Sequence, residues 1–237
     1  MHHRWLALAS CCIALGASAQ DAPYGSFVGE VQTKWLGDGR KMELLESMAY
    51  IDPRGITWDA PKGWVIDGAS IPQFAWSLIG GPYDHKYRVA SVIHDVACDR
   101  KSRRWEDVHE AFYNAMRASG VESARARIMY GAVYHFGPRW PYKVTEYVTV
   151  ADVGAKTDAI RAQFDPRSTL NVAAEPYVVE GVGVGGRPER IPTGLTKLTV
   201  TASPPAAALS EQDMARLAAE IESQGLTLDQ IRAFKPK

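Results

Sequence analysis

Two short stretches hold the residues that are best suited to chemistry. The first, "IDGASIP", contains Asp67 and Ser70, and the second, "VIHDVACD", contains His94 and Asp95. A carboxylate and an imidazole serve as general acid and general base, and a serine can donate a hydrogen bond or attack as a nucleophile. The spacing around Ser70 is not G-x-S-x-G, so no nucleophile elbow is predicted. We therefore expect Asp67 and His94 to be the central pair, with Ser70 and Asp95 beside them.

A metal site is the second chemical interpretation of the same region. His109 lies on the apolar face of a predicted helix, where it is either a hydrogen-bonded core residue or a neighbour of His94. Two histidines and two aspartates in one cavity would suit Zn, Mn or Fe. The candidate ligands of this divalent metal are Asp67, His94, Asp95 and His109.

A third interpretation requires no reaction. Asp67 and Ser70 are residue types that bond to backbone amides in tight turns. His94 can equally bridge elements of the core, because a buried polar group needs a hydrogen-bond partner. These side chains would then form a buried hydrogen-bond network that joins a loop to a helix.

Hydrophobic periodicity predicts an α+β fold. Residues 24–64 alternate apolar and polar side chains around turn residues, which predicts antiparallel β-hairpins, with turns at 37–39 and 61–63. The stretches 87–99, 102–120 and 122–137 change to helical spacing and predict three helices, the second with Ser102 as its N-cap. We expect the N-terminal hairpins to pack on this three-helix segment.

The remainder of the chain is predicted to be an extension with a helical end. Residues 144–205 form a poorly defined extension, in which "VEGVGVGGRPERIP" has the composition of a flexible linker. Residues 206–237 form a C-terminal helical hairpin, with Ser210 as N-cap and Gly225 as the stop. This module is expected either to dock a protein partner or to pack on its own domain. The core domain would be residues 20–143.

The first residues predict export. A short basic start precedes the apolar run "WLALASCCIALGA", and Ala17-Ser18-Ala19 supplies the small residues of a cleavage site, which gives a signal peptide over 1–19. The run is too short to span a bilayer in the mature chain. Leu8-Ala9-Ser10-Cys11 offers the alternative of a lipoprotein anchored at Cys11. Lys+Arg and Asp+Glu both number 27, so no net charge attracts nucleic acid.

Taken together, the segments resemble a known family. "WDAPKGWVIDGASIPQFAW", "YRVASVIHDVACD", "AFYNAM" and "MYGAVYHFG" follow one another as in the domain-of-unknown-function family 1353 of phages and bacteria. The resemblance extends from about Tyr24 to Pro141. It implies that Asp67, Ser70, His94 and Asp95 belong to one shared architecture, without implying an activity. His109 stands where family members usually carry aspartate.

Two functions follow as expectations. The first is an exported, hydrolase-like domain that acts on a component of the cell envelope. The second is a non-enzymatic envelope binding or structural module, in which the Asp, Ser and His side chains form a buried network and the C-terminal helices contact a partner.

Overall fold

The computed structural model of the chain describes residues 22–38, 41–67, 86–206 and 209–236. The predicted signal peptide, Cys11 and Ser70 lie outside the described residues. The architecture is α+β, as predicted, with small antiparallel sheets and several helices. Among the described residues, none of the helices combines the length and the apolar character needed to span a membrane. The division of the chain into domains stays a prediction.

Short strands near the N-terminus form two antiparallel sheets, with orders β1–β4–β5 and β2–β3–β6. Alternate side chains are buried in β3, β4 and β5, as the period of two predicts. The bounds are β1 Ser26–Val28, β2 Thr33–Trp35, β3 Met42–Leu44, β4 Met48–Ile51, β5 Thr57–Ala60 and β6 Val65–Ile66.

The hairpin predicted around residues 61–63 is wrong, because β5 and β6 belong to different sheets. Gly63 adopts a φ of +80°, a conformation that glycine reaches at little cost, and the chain turns away from β4 there. Gly63 N then donates to Leu44 O at 2.8 Å, and Leu44 N donates to Trp64 O at 2.9 Å. The segment after Gly63 therefore joins β3.

Three helices follow, as predicted: α1 Arg88–Arg100, α2 Trp105–Ala118 and α3 Ser123–Phe136. Helices α1 and α2 contact the sheets, and α3 packs on α2. Their apolar faces pack into one core with the sheets. The prediction of Ser102 as N-cap is wrong, since Arg104 is the cap residue and lies in extended backbone with no side-chain cap hydrogen bond. Glu106 and Asp107 lie in the first turn, where negative charge stabilises the helix dipole.

The extension folds into a third sheet of order β7–β9–β8 with a helix against it. The stretch interpreted as a flexible linker forms the turn of the long β8–β9 hairpin, because Gly185 and Gly186 take positive φ and valines on either side favour strands. Its own core contains Ile160, Phe164, Leu198, Val200 and Ala202. The elements are β7 Tyr142–Val148, α4 Val153–Arg161, β8 Thr169–Val182 and β9 Pro188–Ser203.

The last helices, α5 Glu211–Gln224 and α6 Leu228–Arg232, pack on their own chain. Ser210 caps α5 in a capping box with Asp213, and Gly225 ends α5 in the left-handed conformation, as expected from sequence. Gly131 of α3 allows the close approach, because an added Cβ would lie 3.1 Å from Leu217 Cδ2 and 3.4 Å from Ile231 Cγ2.

Polar contacts hold α6 against helices α2 and α3. His135 Nε2 donates to Ile231 O at 2.8 Å. Arg232 Nε donates to Tyr130 Oη at 2.6 Å, and its Nη2 forms an ion pair with Glu110 at the same distance. The C-terminal helices are therefore part of the main core.

We expect Gly131→Leu to lower the free energy of unfolding by about 2 kcal/mol, because overpacking a filled core costs about 1–3 kcal/mol. Gly154→Leu is the matched control, since a Cβ added to this residue of α4 meets nothing within 4 Å. Urea denaturation of both variants measures the difference. Equal effects of the two substitutions would show that α3 and α5 are not in close contact.

The docking of α6 should also depend on pH. Burial lowers the pKa of His135 to about 4, helped by the nearby Arg167 and Arg139, whereas the hydrogen bond to Ile231 O and the charge of Asp165 act in the opposite direction. The unfolded chain binds the proton near pH 6.5, so this contribution to stability is complete above about 6.5 and is lost as the pH falls toward 4.

We therefore expect the wild-type free energy of unfolding to decrease between pH 7 and pH 5 more than that of His135→Gln, by at most about 1.4 kcal/mol per pH unit. The measurement is urea denaturation at both pH values. His94 and His109 remain in both proteins, so the difference between the two isolates His135. Parallel pH profiles would contradict the assignment.

Candidate functional site

Helix α1 carries a polar stripe into the interior of the protein. Ser91, His94, Asp95 and Cys98 follow helical spacing, and all four are buried. Ser91 Oγ donates to Tyr87 O at 3.1 Å, an ordinary bond within the helix. The other three side chains face two different surroundings, since Asp95 is turned about 100° from His94 around the helix axis.

His94 meets His109 of α2 directly, as one of the sequence alternatives predicted. His94 Nε2 lies 2.9 Å from His109 Nδ1, and the two residues are 1% and 0% exposed. His109 Nε2 is 3.1 Å from Pro138 O, so it must carry the proton and donate to that carbonyl. His109 Nδ1 is then an acceptor, and His94 Nε2–H donates to it. The carbonyl thus assigns the tautomers of both rings.

Cys98 completes this buried cluster, although the metal ligands predicted from sequence did not include it. Its Sγ lies 3.6 Å from His94 Nε2 and 3.9 Å from His94 Nδ1. The only signal in the sequence is the i, i+4 spacing, which places Cys98 one helical turn after His94. Phe112 packs against the His94 ring, at a centroid distance of 4.5 Å.

Burial keeps the cluster uncharged at neutral pH. It lowers the pKa of His94 to about 3. Burial also lowers the pKa of His109 well below its usual value, with the neighbouring His94 as the next cause. Burial raises the pKa of the Cys98 thiol. A histidine that is neutral and shielded from water makes a good ligand or hydrogen-bond relay and a poor base toward a solute.

Asp67 and Asp95 come together at another place. They line an open pocket of about 210 Å³, together with Lys41, Asp99 and the backbone end of β6. Asp67 is exposed and directly follows β6, at the strand-to-loop transition that the sequence indicated. Trp64 Nε1 donates to Asp99 Oδ2 at 3.3 Å. The described structure thus brings together His94 with His109, and Asp67 with Asp95.

A larger cleft, of about 560 Å³, lies where four parts of the chain meet. No sequence signal identifies it, because its walls come from the start of α2, Tyr134 of α3, the segment after α4 and the region of α6. Its apolar surface includes Tyr134, Phe164 and Phe234. Its charged side chains are of both signs, five acidic and four basic: Arg104, Glu106, Asp107, Glu110, Asp165, Arg167, Asp229, Arg232 and Lys235.

Asp165 organises one wall of the cleft. Tyr134 Oη donates to Asp165 Oδ2 at 2.8 Å, and Arg167 forms an ion pair with the same carboxylate at 2.6 Å. Although burial alone would raise it, these bonds and the Arg167 backbone amide lower the pKa of Asp165. Asp165 N in turn donates to Glu106 Oε1 at 3.1 Å. The wall is therefore a connected polar network with fixed geometry.

Two atoms beside this network lack partners among the described residues. Glu106 Oε2 and Arg104 Nη1 are both buried and without a hydrogen bond. Burial raises the pKa of Glu106, as expected for a carboxyl group that is incompletely hydrogen-bonded. Unpaired buried polar atoms in a native structure often mark a position that a ligand or water fills.

Comparison with curated proteins finds relatives in Sinorhizobium fredii (strain NBRC 101917 / NGR234). The chain is 42% identical over 139 residues to "Uncharacterized protein y4jT", which is 56% of this chain and 41% of that protein. It is 43% identical over 108 residues to "Uncharacterized protein y4iH", or 46% of this chain and 45% of that protein. The chain thus spans less than half the length of these relatives. No solved structure matches it.

The matched family is described as "Protein of unknown function (DUF1353)", and the match covers residues 42–133. This span includes the strand end with Asp67, the polar stripe of α1, and His109 on α2. It ends within α3, before the extension that completes the cleft. Over residues 42–133 the chain therefore carries the sequence pattern of the DUF1353 family, which confirms the resemblance that its motifs indicated.

Proposed function

We propose that the protein is an exported, non-enzymatic binding module of the cell envelope, and that the large cleft is its ligand site. The supporting observation is the cleft itself, whose volume of about 560 Å³ falls within the range of about 300–1,000 Å³ typical of small-molecule sites. Export rests on the leader-like sequence of residues 1–19.

The lining suggests the chemistry of the ligand. Rings of Tyr134, Phe164 and Phe234 favour an apolar body, and paired charges of both signs favour a ligand without large net charge. Among the lining residues, Glu106 carries a carboxyl acceptor and Arg104 a guanidinium donor. A peptide-like envelope fragment has this combination of amide donors, amide acceptors and apolar groups.

In this proposal the residues first identified from sequence stabilise the fold. His94 and His109 form a neutral, solvent-shielded pair that connects α1, α2 and the loop at Pro138. Their role is that of a buried hydrogen-bond network, whose members are costly to remove singly because each partner is left unsatisfied.

We expect Ala162→Trp to weaken binding of soluble peptidoglycan fragments by about tenfold or more, or about 1.4 kcal/mol, because the indole would occupy the cleft. Ala162 is an exposed residue of the lining. Calorimetric titration should use protein from the periplasmic fraction, in which N-terminal sequencing should find Gln20.

Ala155→Trp is the matched control, since Ala155 is exposed on α4, the helix that ends just before Ala162, and is not part of the cleft lining. It should bind as the wild type does. Unchanged affinity in Ala162→Trp, or no binding to the wild-type protein, would exclude the cleft as a site for this ligand class.

A hydrolase acting on an envelope component is the second candidate, and the observation that favours it is the acidic pocket. Asp67 and Asp95 line one cavity with Lys41. Two carboxyl groups at one cavity can divide the roles of general acid and general base. Ser70, three residues after Asp67 in the sequence, would donate a hydrogen bond to the substrate.

Hydrolysis would be abolished by Asp67→Asn, which keeps the size of the side chain and removes its negative charge. The test incubates purified protein with peptidoglycan and measures the release of soluble fragments over time. Asp59→Asn, at another exposed aspartate, is the control and should release fragments at the wild-type rate. The hydrolase candidate is excluded if the wild-type protein releases no fragments, and catalysis by Asp67 is excluded if Asp67→Asn releases them at the same rate.

A further inference from the structure

The buried cluster on α1 and α2 has the composition of a metal site. Its donors are two imidazole nitrogens and one sulfur, from His94, His109 and Cys98, in the spacing H-x3-C-x10-H. The three donor atoms lie within 4.8 Å of one another, and all three residues are buried. Nitrogen and sulfur donors together favour zinc, whereas Mn and Mg favour oxygen.

The distances can be compared with those of tetrahedral zinc. Bonds of about 2.0–2.1 Å to nitrogen and about 2.3 Å to sulfur place two nitrogens about 3.3 Å apart and a nitrogen and a sulfur about 3.6 Å apart. The observed distance from Cys98 Sγ to His94 Nε2 is 3.6 Å. His94 Nε2 and His109 Nδ1 are 2.9 Å apart. A separation of the rings by about 0.4 Å, relative to the same ideal geometry, would accommodate the ion.

The surroundings of His109 provide an independent argument. Metal-bound histidines usually donate their second ring N–H to a carbonyl or carboxylate, which fixes the orientation of the ring. His109 Nε2 donates to Pro138 O at 3.1 Å, and this leaves Nδ1 as an acceptor that faces His94 Nε2 at 2.9 Å. The ring is therefore already held in the tautomer that a metal requires.

We propose that His94 Nε2, Cys98 Sγ and His109 Nδ1 bind a zinc ion that clamps α1 to α2. The proton on His94 Nε2 moves to Nδ1, and the Cys98 thiol releases one proton to solvent as its sulfur forms the zinc bond. Three protein donors leave the fourth tetrahedral position to water or another donor.

This ligand set differs from the one suggested by sequence alone. Asp67 and Asp95 line the acidic pocket instead of joining the three donor atoms. Cys98 replaces them and supplies a soft thiolate, which is the reason for choosing zinc over manganese or iron. The site is independent of the cleft, so the proposed binding function and the zinc site can succeed or fail separately.

The test uses the full chain with Cys11→Ser and Cys12→Ser, which leaves Cys98 as the single thiol. Titration with Co²⁺ should reach one equivalent and produce the near-ultraviolet absorption of a thiolate–cobalt bond, which Zn²⁺ then removes by displacement. Adding Cys98→Ser should abolish this absorption and weaken zinc binding by at least about tenfold, the lower bound for losing even an outer-shell partner.

Asp67→Asn and Asp95→Asn are controls for the carboxylate ligand set, and both should keep the full cobalt spectrum. The proposal is overturned if no cobalt or zinc binds, if Cys98→Ser leaves the spectrum unchanged, or if either asparagine variant abolishes it. Should Cys98→Ser fail to fold, X-ray absorption of the zinc-loaded parent protein decides. One sulfur and two imidazoles around zinc support the site, and a shell without sulfur overturns it.

Discussion

Exclusion of water from the contact between α1 and α2 is the constraint on which the rest of the structure depends. A charged imidazole would lose its hydration there, so His94 and His109 must remain neutral and satisfy each other. The pair then needs one outside acceptor, and Pro138 O supplies it. That bond ties the loop after α3 to α2. Trp140, in the same loop, donates from its Nε1 to Arg103 O just before α2. Two hydrogen bonds therefore hold this loop against α2 and the residues before it.

The chain after α3 completes the core and is more than an appendage to it. Apolar side chains of α5 and α6 share one core with the N-terminal sheets and α1–α3. The segment after α4 reaches the start of α2 through the bond from Asp165 N to Glu106. The cleft forms where the segment after α4 and the region of α6 meet the start of α2, which lies in the matched region, residues 42–133. A protein with only the matched region would lack most of its walls.

Local signals predicted the elements well, and long-range contacts limited the remainder. The spacing of Val92, Ile93 and Val96 is enough to predict α1, and the caps at Ser210 and Gly225 follow from chemistry within one turn. The contact between His94 and His109 depends on how α1 and α2 pack against each other. Periodicity does not determine that packing, so the sequence left His109 as either a hydrogen-bonded core residue or a neighbour of His94. The i, i+4 spacing from His94 is the one sequence signal for Cys98, because a single buried cysteine otherwise has the same sequence appearance as a small apolar residue.

The same reasoning explains the errors in the β-rich parts. Residues 61–63 are of types that favour a turn, and a turn forms there. It connects strands of two different sheets, because β6 pairs with β3 and not with β5. The Gly-rich stretch has a linker composition, yet its glycines lie between valine-rich strands that pair with each other. A Gly-rich composition indicates a flexible backbone, but whether the segment becomes a hairpin turn depends on whether the strands on either side of it pair.

The hydrogen bond from His135 to Ile231 joins residues that are 96 positions apart in sequence, and its neighbour from Arg232 to Glu110 spans 122. During synthesis, α3 therefore emerges from the ribosome long before the helices that cover its Gly131 face. The nascent chain must carry that apolar face uncovered until Leu217 and Ile231 have been made. Contacts of such high separation slow folding, so the newborn chain exposes this face for an extended period.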